Sequence, residues 1–225
     1  MCKMTFCPTE VPVAASMLDL ARKADQPVQQ FVCYWTAFNN IYTTITERHG
    51  YAPRLSKKQP TRSVWGIEMP NVLLCSERDQ LKNACDQFCD ELKNNLISHP
   101  SAAFFSNRRF LKWKDRALDA DAFGRPLNGV LNVARTIDES LVVWSPIVAK
   151  TYEQYVAGNG QPEIRDALAS QLLSILYCIR SNLTHATKLA DEASNLEVVS
   201  AAIPLIQMIV CEFVPAYEVT FSSSV

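Results

Sequence analysis

One apolar pattern constrains this chain more than any other feature. Phe31, Tyr34, Trp35, Phe38, Ile41, Tyr42 and Ile45 recur at spacings of three and four. That stride places them along one wide face of an α-helix, and a strand would scatter them over two faces. The same stride returns in Ile164, Leu168, Leu172, Ile175, Leu176 and Ile179. It also marks Leu81, Cys85, Phe88, Leu92 and Leu96, which predict one helix closing near His99–Pro100. "VVSAAIPLIQMIVCEFV", Val198 to Val214, is the most apolar run. It is short for a membrane span, carries Gln207 and Glu212 and lacks basic flanks, so it predicts a central core helix. With only 6 glycines in 225 residues, many-turn β folds and phosphate-cradling loops are disfavoured. The expected fold class is all-α, a helical bundle.

The punctuation fits this scheme. Residues 13–24 predict a first short helix. Asp25 is the expected N-cap of the aromatic helix, with Pro27 in its first turn and Gly50 at its end. Residues 51–75 hold Pro53, Pro60, Gly66 and Pro70 and predict a loop-rich connection. Ser76 and Asp79 resemble a capping box. Residues 127–160 leave strand and helix open, with Gly158 ending a helix if one forms. His49 and His99 sit at expected helix C-termini and are read as structural.

Charge and cysteine usage narrow the chemistry. The formal net charge is -1, so any anion binding must come from a local patch. The 8 cysteines include no CxxC pair, and Cys33, Cys178 and Cys211 fall inside apolar helical patterns. The expectation is reduced thiols, no metal, no cofactor and a cytoplasmic protein. Pro8, Glu10 and Pro12 interrupt the apolar stretch that a signal peptide needs. One stretch, "NRRFLKWKDR", would place Arg109, Lys112 and Arg116 on one helical face with Trp113 close by. It is a candidate RNA backbone patch with an aromatic available to stack on a base.

The candidate site is "IRSNLTHATK", Ile179 to Lys188, where an apolar helix runs into polar groups. Arg180 and His185 are five residues apart, so on a straight helix, at about 100° per residue, they diverge by roughly 140°. They converge only if the helix ends or bends between them, or if a second copy faces them. Arg with His suits RNA phosphodiester cleavage. The 2′-hydroxyl is a built-in nucleophile, imidazole transfers protons near neutrality, and guanidinium neutralises the phosphorane. A two-fold dimer would supply two of each.

"ILYCIRSNLTHATK" resembles the hallmark of the HEPN superfamily (higher eukaryotes and prokaryotes nucleotide-binding). In that hallmark an apolar helix ends in Arg, often followed by Asn, with His four to six residues on. Arg180, Asn182, Leu183, His185 and Lys188 match, while Ser181 and Ala186 depart from a common Asn and a common Gly. "FVCYWTAFNNIY", Phe31 to Tyr42, resembles the upstream helix of bacterial members, through Trp35, Phe38, Asn39 and Tyr42. The resemblance implies a single HEPN-like up-and-down bundle over 1–225. Its first core helix lies at 25–50, a long insert at 51–160, and the last two core helices at 162–214. It further implies metal-independent endoribonuclease activity by Arg180 and His185, supported by Asn182, Lys188, Asn39 and Tyr42. A homodimer acting on RNA follows, with a role as a toxin or in phage defence. Family toxins are often paired with a nucleotidyltransferase-like antitoxin, and some members bind a nucleotide or a protein partner without cutting.

Overall fold

The computed structural model describes residues 4–49, 51–53, 63–64, 67–68, 73–75, 77–106, 152–153, 155–159, 162–184 and 193–217. They form an all-α bundle whose centre is the aromatic helix. The first helix, α1 (Pro12–Lys23), has Pro at its first turn and Arg22 and Lys23 in its last, where cations suit the helix dipole. Its N-cap, Val11, has no polar side chain. The Ala14 amide instead donates to Asn40 Oδ1 at 3.1 Å, a cap supplied from the next helix.

That next helix, α2 (Pro27–Arg48), buries Phe31, Cys33, Tyr34, Trp35, Ala37, Phe38, Ile41, Tyr42, Ile45 and Thr46. Apolar groups so far around its circumference need partners on several sides, and α2 packs against α1 and against the helices over Glu77–Cys85 and Ala193–Phe213. Its N-cap is Gln26, not the expected Asp25. Pro27 is the first helical residue, so the capping position falls on its immediate neighbour. The helix closes at His49, its C-cap, as the sequence suggests.

Residues 51–75 carry four short strands within the expected connection. β1 (Tyr51–Pro53) pairs in parallel with β4 (Leu73–Cys75), and β2 (Ser63–Val64) pairs antiparallel with β3 (Ile67–Glu68). The single helix expected through Leu81 and Leu96 is two. These are α3 (Glu77–Cys85) and α4 (Asp90–Ser98), separated by a turn at Asp86–Cys89. Cys89 caps α4, its Sγ accepting the Leu92 amide at 3.3 Å. All five apolar positions remain buried across the break. His99 ends α4, and its Nδ1 accepts the Ser101 amide at 3.1 Å at the start of α5 (Pro100–Ser106).

Gly158 lies in the turn Tyr155–Asn159 with φ 89°, a left-handed conformation that favours glycine. The last two helices are α6 (Pro162–Thr184) and α7 (Ala193–Phe213). Lys93–Asp166 at 3.0 Å and Arg165–Asp90 at 2.8 Å tie α6 to α4. Among the described residues one stretch, Leu196–Phe213, is long and apolar enough to cross a membrane, and half of it is buried in the bundle. Val198, Val199, Ala202, Leu205, Ile206, Ile209, Val210 and Phe213 form its core face. The two ends of the fold meet. The Phe6 amide donates to the Phe213 carbonyl at 2.8 Å, and Arg22 donates to the Tyr217 carbonyl at 2.7 Å.

Candidate functional site

The aromatic row of α2 leads to the site. Phe31 stacks on Trp35 with ring centroids 6.4 Å apart, and Trp35 meets Phe38 edge-on at 5.8 Å. Phe38 meets Tyr42 at 5.3 Å, and Trp35 also meets Tyr177 of α6 at 6.0 Å. The upstream aromatic segment and the turn that carries Arg180 are therefore neighbours in space.

The expected end of α6 at Arg180 is corrected: the helix continues through Ser181 to Thr184. Ser181 is buried, and Leu183 packs on the core, so apolar contact carries the helix past residues with weak helix propensity. Arg180 stands one turn before the terminus with its side chain 25% exposed. Asn182 is helical within α6. His185 and Lys188 lie outside the described residues, as do Arg109, Lys112, Trp113 and Arg116.

Around Arg180 the structure assembles a polar cluster from three helices. Glu77, the first residue of α3, is its hub. Glu77 Oε1 accepts the Tyr42 hydroxyl at 2.9 Å, and Oε2 accepts the Tyr177 hydroxyl at 3.3 Å. A guanidinium nitrogen of Arg180 lies 3.5 Å from Oε1. The Arg180 guanidinium also lies 5.7 Å from the centre of the Tyr177 ring, within cation–π range. One turn on, the Thr43 hydroxyl donates to Gln80 Oε1 at 3.3 Å. Burial first, and then the adjacent Glu77 carboxylate, raise the Tyr42 phenol well above its ordinary range. Burial and Glu77 also raise Tyr177, offset in part by a hydrogen bond with Ser181. Both phenols are thus held protonated as donors to the carboxylate.

Tyr42, expected as a supporting residue, is joined to Arg180 through Glu77, which the sequence does not single out. No local signal marks Glu77, whose partners are 35 and 100 positions away. Asn39, an expected supporting residue, is half-buried, and its side chain hydrogen-bonds no described residue, while its neighbour Asn40 caps α1. Among the described residues, no group of three or more His, Cys, Asp or Glu is placed to hold a metal ion.

As chemistry, the cluster offers a guanidinium one turn before a helix terminus, beside a carboxylate that two phenols already satisfy. No protein-family model, curated protein or solved structure matches this chain.

Proposed function

We propose that this protein is a metal-independent endoribonuclease of the HEPN type, acting as a homodimer in a toxin or phage-defence role. The observation that carries this reading is the meeting of two segments far apart in sequence. The aromatic face of α2 touches the Arg180 turn of α6 through Trp35 and Tyr177, and through Tyr42, Glu77 and Arg180. These are the two segments on which the HEPN resemblance rests. In the reaction the 2′-hydroxyl attacks the adjacent phosphorus, and the 5′-oxygen leaves. His185 moves the proton, and Arg180 neutralises the equatorial oxygens. Asn182 positions the phosphate or Arg180, and Lys188 adds positive charge. The products are a 2′,3′-cyclic phosphate and a 5′-hydroxyl.

The test is incubation of purified protein with total RNA in EDTA, with the new ends mapped. Wild type is expected to leave 5′-hydroxyl ends, and Arg180→Ala and His185→Ala are expected to lose at least a hundredfold in rate. Equal inertness of all three proteins, freed of any bound antitoxin, would overturn the reading.

A second reading is favoured by the Glu77–Arg180 ion pair itself. A guanidinium already neutralised within the fold suits a non-catalytic helical dimer that binds a nucleotide or a protein partner. Expression in cells separates the two: toxicity relieved by His185→Ala belongs to the enzyme, and its absence in wild type belongs to the binding module.

A further inference from the structure

We infer that Glu77 is a resting partner for Arg180, from which the guanidinium moves onto a phosphodiester of RNA while Tyr42 and Tyr177 keep the vacated carboxylate satisfied. The inference deepens the ribonuclease reading and takes its ligand class from it.

Three contacts on one carboxylate carry the inference. The two phenols reach Glu77 at 2.9 and 3.3 Å, and Arg180 is the most distant at 3.5 Å. A charge-assisted N–H···O bond is about 2.7–2.9 Å long, so Arg180 sits at ion-pair range without a short bond to Oε1. Exposure follows the same order. Tyr42 is buried and fixed, Tyr177 is half-buried, and Arg180 and Glu77 have side chains 25% and 35% exposed. A pair open to water in this way is screened and weak.

Removing the Arg from an ordinary ion pair strands a carboxylate. Here each Glu77 oxygen retains a phenol donor, so the carboxylate stays bonded when the guanidinium turns away. The face of Tyr177 supports the cation 5.7 Å from the ring centre. A phosphodiester presents two oxygens to the flat Arg fork, a better match than one carboxylate oxygen at 3.5 Å. Glu77 and the phosphodiester therefore compete for one cation, and the charge of Glu77 also repels the ligand.

The test uses a short fluorescein-labelled 2′-O-methyl oligonucleotide, which cannot be cleaved by 2′-hydroxyl attack, and reads binding by anisotropy on the full chain. Glu77→Gln keeps the shape and removes the competing charge. It is expected to bind the probe roughly threefold or more tightly at low salt, with the gain shrinking as salt rises. The gain is expected to vanish when Arg180→Gln is added. Tyr177→Phe removes one donor from the carboxylate, leaves it more dependent on Arg180, and is expected to weaken binding. It carries the test alone if Glu77→Gln does not fold.

Unchanged or weaker binding by a folded Glu77→Gln, a gain that survives Arg180→Gln, or no binding of the probe by any variant overturns the inference. Cleavage of unmodified RNA is scored separately. Cleavage with no Glu77→Gln gain removes the resting-partner role and leaves the ribonuclease reading standing. An Arg180-dependent gain without cleavage does the reverse.

Discussion

The two halves of the buried face of α2 are built on different principles. From Phe31 to Phe38 it is an aromatic stack against apolar neighbours, and the Trp35 Nε1 donor is buried with no hydrogen-bond partner among the described residues. From Tyr42 to Thr46 the same face is studded with hydroxyls, each of them bonded: Tyr42 to Glu77, Thr43 to Gln80, and Thr46 to the Tyr42 carbonyl at 2.7 Å. The first half stabilises by removing area from water. The second contributes little net energy per bond, and each bond fixes a position. The change of principle comes where the Arg180 turn of α6 arrives.

The sharpest way to break this contrast is Phe38→Ala. Phe38 is fully buried, so a loss of about 3–5 kcal/mol in urea unfolding is expected. A loss under about 1 kcal/mol would mean that the stack is not the core. Tyr42→Phe keeps the ring and removes one bond to a carboxylate that water also reaches. It is expected to lose about 1 kcal/mol, and less once Glu77→Gln is present, so a double-mutant cycle reads the coupling directly.

A smaller effect lies at the α4–α5 joint, where His99 Nδ1 accepts the Ser101 amide and burial holds the imidazole below its usual value. The bound form is neutral, so its contribution is complete above the unfolded value of about 6.5 and is lost as pH falls toward the lower folded value. The stability gap between wild type and His99→Ala should therefore narrow from about pH 7.5 to about pH 5. A gap that widens on acidification would reverse the assignment. The smallest change is expected from Trp35→Phe. Lost area is offset by removal of a buried donor that bonds no described residue, leaving a net change under about 1 kcal/mol. A cost above about 2 kcal/mol would reveal a partner for the indole.

How much of this was legible depended on distance along the chain. The aromatic stride of α2 and the apolar strides of α6 and α7 are local patterns, and each lies in the helix it predicts. The break between α3 and α4 was hidden because Cys85, Phe88 and Leu92 keep a helical stride through it. No glycine or proline marks the turn, and a cysteine is an uncommon cap. Arg180 looked terminal because Ser181, Asn182 and Thr184 are poor helix formers, yet burial of Ser181 outweighs propensity. Glu77 carried no signal at all. A carboxylate at the start of a helix looks like ordinary dipole compensation until the fold brings Tyr42 and Tyr177 to it.

The joining of the two ends of the fold has a consequence for synthesis. Arg22 and Tyr217 are 195 positions apart, and α2 packs on both α1 beside it and α7 near the far end. On the ribosome α1 and α2 emerge together, but the apolar face meant for α7 stays open until the last helix is made. At about 5–20 residues per second that wait is on the order of ten seconds. Through that interval the nascent chain presents an uncovered aromatic helix to whatever is nearby, so chaperone supply and translation speed, as much as final stability, should set its yield of folded protein.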